Sequence, residues 1–149
     1  MKPFKAVALV LAVSLNVGCG GAGENLEEET IILSFQDFVE AVEVSVSGGA
    51  KNCGVVEARE NDVEVNTCVI ESFNHGVEFY AVYELQGFDS SVGRAITQEE
   101  NRSLYLWSFD SNPAGGYPAE SSKVEKEPCR DPEFSGSLDS GYDNLFYCK

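Results

Sequence analysis

Hydrophobic positions recur along this chain at two different periods, and the change between them falls inside one stretch, Asn61 to Gln86. Val65, Cys68, Val69 and Phe73 lie at helical spacing on one side, with Glu64, Glu71 and Asn74 turned away. Asn61 is placed to cap that helix, and Glu64 to reach back to it as a capping box. Gly76 supplies the left-handed residue that stops a helix. From there the period is two. Val77, Phe79, Ala81, Tyr83 and Leu85 alternate with Glu78, Tyr80, Val82, Glu84 and Gln86, the pattern of a strand.

The same reading extends in both directions. A helix is predicted from Ser34, capped with Asp37 three residues on, with Phe35, Phe38, Val39 and Val42 as its buried stripe. Thr30 to Leu33 is the alternative start of a short strand. Ser45 to Asn52 reads as a loop, and Cys53 to Ala58 as either a short strand or a linker. Downstream, Val77–Gln86, Val92–Thr97 and Leu104–Asp110 are joined by short polar turns, which favours an antiparallel meander. Ser121 to Glu127 carries the charges Lys123, Glu125, Lys126 and Glu127, as an exposed edge strand does. The expected fold class is α+β, with two helices packed on a small antiparallel sheet of three to four strands.

One strand is apolar on both sides. Tyr105, Trp107 and Phe109 share a face, with Leu104 and Leu106 opposite. Such a strand is either covered on both sides or presents a binding surface. If the aromatic set faces the helices, Leu104 and Leu106 look outward, and Tyr80 and Val82 are expected beside them as contact residues. The alternative is that the tail segment Leu145-Phe146-Tyr147 folds over them. Tyr117, in the irregular loop 111–118, is a second candidate contact.

The N-terminal segment changes the picture from a domain to an exported one. Lys2 and Lys5 precede an apolar run, Ala6 to Leu15, too short for a permanent membrane span. Val17, Gly18 and Cys19 follow, and this segment resembles the lipobox of bacterial lipoprotein precursors. Asn16 departs from it, standing where that family usually has leucine. The resemblance implies cleavage after residue 18, acylation of Cys19 and an anchor in the outer membrane. An ordinary secretory signal with Cys19 unmodified is the alternative. Residues 19–29 then form a Gly-rich, acidic tether, and 30–149 a single domain.

Cleavage leaves 8 Lys+Arg against 25 Asp+Glu, a net charge of −17 for the mature chain. That balance repels phosphate backbones, so nucleic acid is excluded as a partner. The expected partners are the membrane, through the lipid, and an envelope protein. Behind a signal segment, the even count Cys53, Cys68, Cys129 and Cys148 reads as a disulfide framework. Neighbouring pairs, Cys53–Cys68 and Cys129–Cys148, each flank one local unit and are the expected connectivity. A helix on a small antiparallel sheet with two disulfides is similar in architecture to cystatin-like inhibitors, although Gln86-Gly87 does not supply their QxVxG turn.

Chemistry is thin. The only histidine, His75, sits at a helix end and is expected to contact its last carbonyls. No catalytic residue, cofactor or metal is expected. Asp110-Ser111-Asn112 and the segment 139–144 place oxygens in turns, without EF-hand spacing. The leading expectation is a non-enzymatic binding module of the bacterial envelope. A carboxylate-using secreted hydrolase and a purely structural lipoprotein are the alternatives.

Overall fold

The computed structural model describes residues 33–116, 119, 121–135, 138 and 145–149. The export segment, Cys19, the tether, Tyr117 and the segment 139–144 lie outside the described residues.

Helix α1 (Phe35–Val44) begins as its pattern predicts. Asp37 N donates to Ser34 Oγ at 3.2 Å, and Ser34 N donates to Asp37 Oδ2 at 2.7 Å, closing a capping box. Helix α2 (Val63–His75) begins differently from expectation. Asn61 does not cap it: Val63 N donates to Asn61 Oδ1 at 2.9 Å in a two-residue turn, and Asp62 takes the N-cap position without a side-chain bond. The end is as expected, with Gly76 at φ 66°.

The strands are β1 (Lys51–Val56), β2 (Phe79–Leu85), β3 (Val92–Gln98), β4 (Leu104–Asp110) and β5 (Lys123–Cys129). A small separate pair is formed by β6 (Glu133–Phe134) and β7 (Phe146–Tyr147). The main sheet has five strands in the order β1-β2-β3-β4-β5. It is larger than expected and mixed rather than antiparallel, because β1 pairs parallel to β2. The physical reason is α2: two adjacent parallel strands need a crossover, and the helix between them supplies it. The other three pairings are antiparallel, so the predicted meander is present as β2-β3-β4 and extends to β5.

The helices cover opposite faces. On one face Phe79, Ala81, Tyr83, Ile96 and Leu104 pack with Val69 and Ile70 of α2 and with Leu145 and Phe146 of the tail. On the other, Tyr80, Val82, Ala95 and Phe109 pack under Phe38 and Val42 of α1. Both disulfides join the expected neighbours, Cys53–Cys68 and Cys129–Cys148, with Cα–Cα separations of 5.5 and 4.9 Å. The first ties β1 to α2; the second holds the tail to the end of β5.

This register corrects the surface expected from the sequence. Gln98 stands opposite both Phe79 and Leu104, so Leu104 and Leu106 share the α2 face with Phe79. Tyr80 and Val82 belong to the other face, with Tyr105 and Trp107. Tyr80, Val82 and Leu104 are 5%, 0% and 2% exposed, and Leu106 packs partly buried against the α2 core. The residues are core on two sides of the sheet, not one outward patch. The tail does fold over Leu104, through Leu145 and Phe146.

Candidate binding site

Among the described residues, one corner of the α1 face is left partly exposed, and β4 builds it. Tyr105, Trp107 and Phe109 alternate toward that face, opposite Thr97, Ala95 and Gly93 of β3. α1 lies over the Phe109 end. Phe38 stacks on Phe109 with ring centroids 5.2 Å apart, and Gly93 leaves the room: a Cβ there would lie 2.9 Å from the Phe38 ring. At its other end α1 meets β2, where Tyr80 Oη donates to Glu43 Oε1 at 3.1 Å. The helix therefore runs from Phe109 toward Tyr80 and leaves the Tyr105–Trp107 corner partly exposed.

Lys126 of β5 stands opposite Trp107 in register. Its ammonium lies 4.1 Å from the centroid of the Tyr105 ring and 4.8 Å from that of Trp107. Both distances are within the range of a cation–π contact. The same nitrogen is 2.8 Å from Glu99 Oε1, with both side chains 29% exposed. Trp107 Nε1 donates to Thr97 Oγ1 at 3.0 Å, which holds the indole against the sheet.

Glu99 opens the β3–β4 turn. Glu99 N donates to Ser103 O at 3.0 Å, and Arg102, at φ 67°, donates its N–H to Glu99 O at 2.8 Å. The left-handed residue reverses the chain tightly and sets Glu99 and Glu100 beside the start of β2. Ser45, Glu78, Glu99, Glu100 and Asn101 line an open groove of about 570 Å³ there. Glu78 accepts from Ser47 N at 2.9 Å and from Ser47 Oγ. Those bonds to the ionised form, the hydroxyl first, hold its carboxyl below the ordinary carboxylate range. Glu99 belongs to both halves of the site: it lines the groove and holds the cation on the rings.

No family model matches this chain, and no curated protein or solved structure matches it either.

The candidate residues divide as follows. Tyr80, Val82, Leu104 and Leu106 are packing residues, and Tyr117 lies outside the described residues. His75 is exposed with Nδ1 2.6 Å from Glu71 O, the helix-end contact expected of it. Asp110 Oδ1 accepts from Asn112 N at 2.8 Å, a turn-forming bond. Among the described residues, no three His, Cys, Asp or Glu side chains converge as metal ligands do. Sequence reasoning missed Lys126, Glu99 and Thr97. Lys126 looked like one of several edge charges, and nothing local links it to a glutamate 27 residues earlier. The signal that was present is the aromatic alternation Tyr105-Trp107-Phe109, of which α1 fully buries only Phe109.

Proposed function

We propose that this chain is a non-enzymatic binding module of the bacterial cell envelope, anchored by a lipid on Cys19, and that it binds through the corner formed by Tyr105, Trp107, Glu99 and Lys126. The observation that carries this reading is the pair of partly exposed rings with an ammonium seated on them beside an acidic groove. Aromatic side chains with a polar tip supply rigid contact area at low entropic cost, as binding surfaces require. A general acid needs a raised carboxyl pKa, and that of Glu78 is lowered, so Glu78 is not suited to that role.

A purely structural envelope protein is the second reading, and the burial of Tyr80, Val82 and Leu104 favours it. Site-directed photo-crosslinking in intact producing cells separates the two. A photoreactive amino acid at Tyr105 is expected to give a discrete adduct, while one at Glu71, on the exposed side of α2, gives none. Equal yields, or no adduct from either position, would leave the structural reading standing. Mass spectrometry of the native protein tests the anchor: the account expects an acylated chain beginning at Cys19.

A further inference from the structure

We infer that the occupant of this corner is a basic, extended protein segment, one of whose Lys or Arg side chains displaces Lys126 from Tyr105 and Trp107 and takes over its pairing with Glu99. The inference rests on the binding reading and names its ligand class.

Lys126 reports what the corner accepts. An ammonium already sits against both rings and a carboxylate, so position and charge suit an organic cation. The contact is easily exchanged. Lys126 belongs to an edge strand, it is partly exposed, and an ion pair in such a position contributes little to stability. Replacing one cation by another leaves the charge count at Glu99 unchanged. An incoming arginine gains by stacking its planar guanidinium on the rings and meeting Glu99 with two donors, which an ammonium cannot do.

The groove extends the site beyond one cation. Glu78 and Glu100 line it with Glu99, and among the described residues neither makes an ion pair. A segment with cationic side chains on both sides of its first anchor reaches these carboxylates; a small amine does not. The full chain's net charge of −15 draws basic segments toward it and repels anionic ones. It also argues against the chain's own residues 24–29, which include Glu24, Glu27, Glu28 and Glu29, as the occupant.

Trp107 is the chain's only tryptophan, so its emission reports this corner alone. The test titrates the intact mature protein with a ten-residue peptide alternating arginine and glycine, at low and moderate salt. Controls are a glutamate–glycine peptide, free arginine and tetramethylammonium. The expected result is a saturable change in Trp107 emission with the basic peptide alone. Glu99→Gln weakens binding and Lys126→Gln, which vacates the rings, tightens it, each by about fivefold, the scale of one exposed cation–aromatic contact. Binding that leaves Trp107 emission unchanged, or is equal in wild type and both variants, is unspecific attraction to an acidic protein and overturns the inference. So does a tetramethylammonium affinity equal to the peptide's. If the peptide fails while the Tyr105 crosslink still forms, the ligand class is wrong and the binding reading stands; if the crosslink fails too, both fall.

Discussion

Single side chains decide where this fold is rigid. Tyr83 is buried, and its hydroxyl donates to Asn66 Oδ1 at 2.9 Å, while Asn66 Nδ2 donates to Leu138 O at 2.9 Å. That chain of bonds joins β2, α2 and the C-terminal region, and its Tyr83–Asn66 link is fully buried. Tyr83→Phe removes the donor and leaves a buried amide oxygen unpaired, at an expected cost of about 1–3 kcal/mol in denaturant unfolding. Burial, and then the charge of Asp62, raise the Tyr83 phenol above its ordinary pKa of 10.0. The unfolded chain therefore releases this proton first. The contribution is complete below the unfolded value and is lost as pH rises through it toward the folded one. Unfolding midpoints are expected to fall between pH 9 and pH 11 (roughly one unit either side of the free phenol), and less steeply in Tyr83→Phe. Equal slopes in the two proteins would contradict this assignment. Gly93 is the other critical position. A methyl there meets Phe38 and Phe35 at 2.9 to 3.0 Å, so Gly93→Ala is expected to cost about 1–3 kcal/mol by overpacking. A thermal melt checks it.

Elements were legible in the sequence wherever one period ran unbroken. The alternation from Phe79 to Leu85 and the Ser34–Asp37 cap appear in the structure nearly as written, and β4 spans the residues assigned to it. β1 was not legible for a physical reason. It is an edge strand with a register shift between Asn52 and Gly54, so its side chains do not alternate cleanly between buried and exposed. Its parallel pairing comes from the α2 crossover, which no local pattern announces. The binding corner was half legible. Tyr105 and Trp107 were visible as an aromatic face, but which face α1 would cover depends on register, and Lys126 and Glu99 meet only across three strands. The Cys53–Cys68 disulfide holds the poorly patterned strand, closing a loop of 15 residues. The chain-entropy account gives about 3 kcal/mol for such a loop. In a Cys53→Ala/Cys68→Ala variant, global stability is expected to fall by that order. Hydrogen exchange at Val55 and Val56 is expected to accelerate before exchange in β3 and β4. Unchanged protection in β1 would show that the α2 contacts hold it without the crosslink.

At the scale of the whole molecule, two helices cover opposite faces of one sheet, and α1 is too short and too oblique to finish its side. The partly exposed corner is where acidic side chains and the chain's only tryptophan coincide. Trp107 is partly exposed there, and Glu78, Glu99 and Glu100 beside it set a field that favours cations. Collisional quenching with caesium and with iodide, at equal ionic strength and each normalised to free tryptophan amide, measures both properties at once. The account predicts measurable quenching, with caesium favoured over iodide in wild type and the preference reduced in Glu99→Gln. Trp107 shielded from both ions would mean the corner is closed, and iodide favoured over caesium would mean its field has the opposite sign; either result would contradict the account.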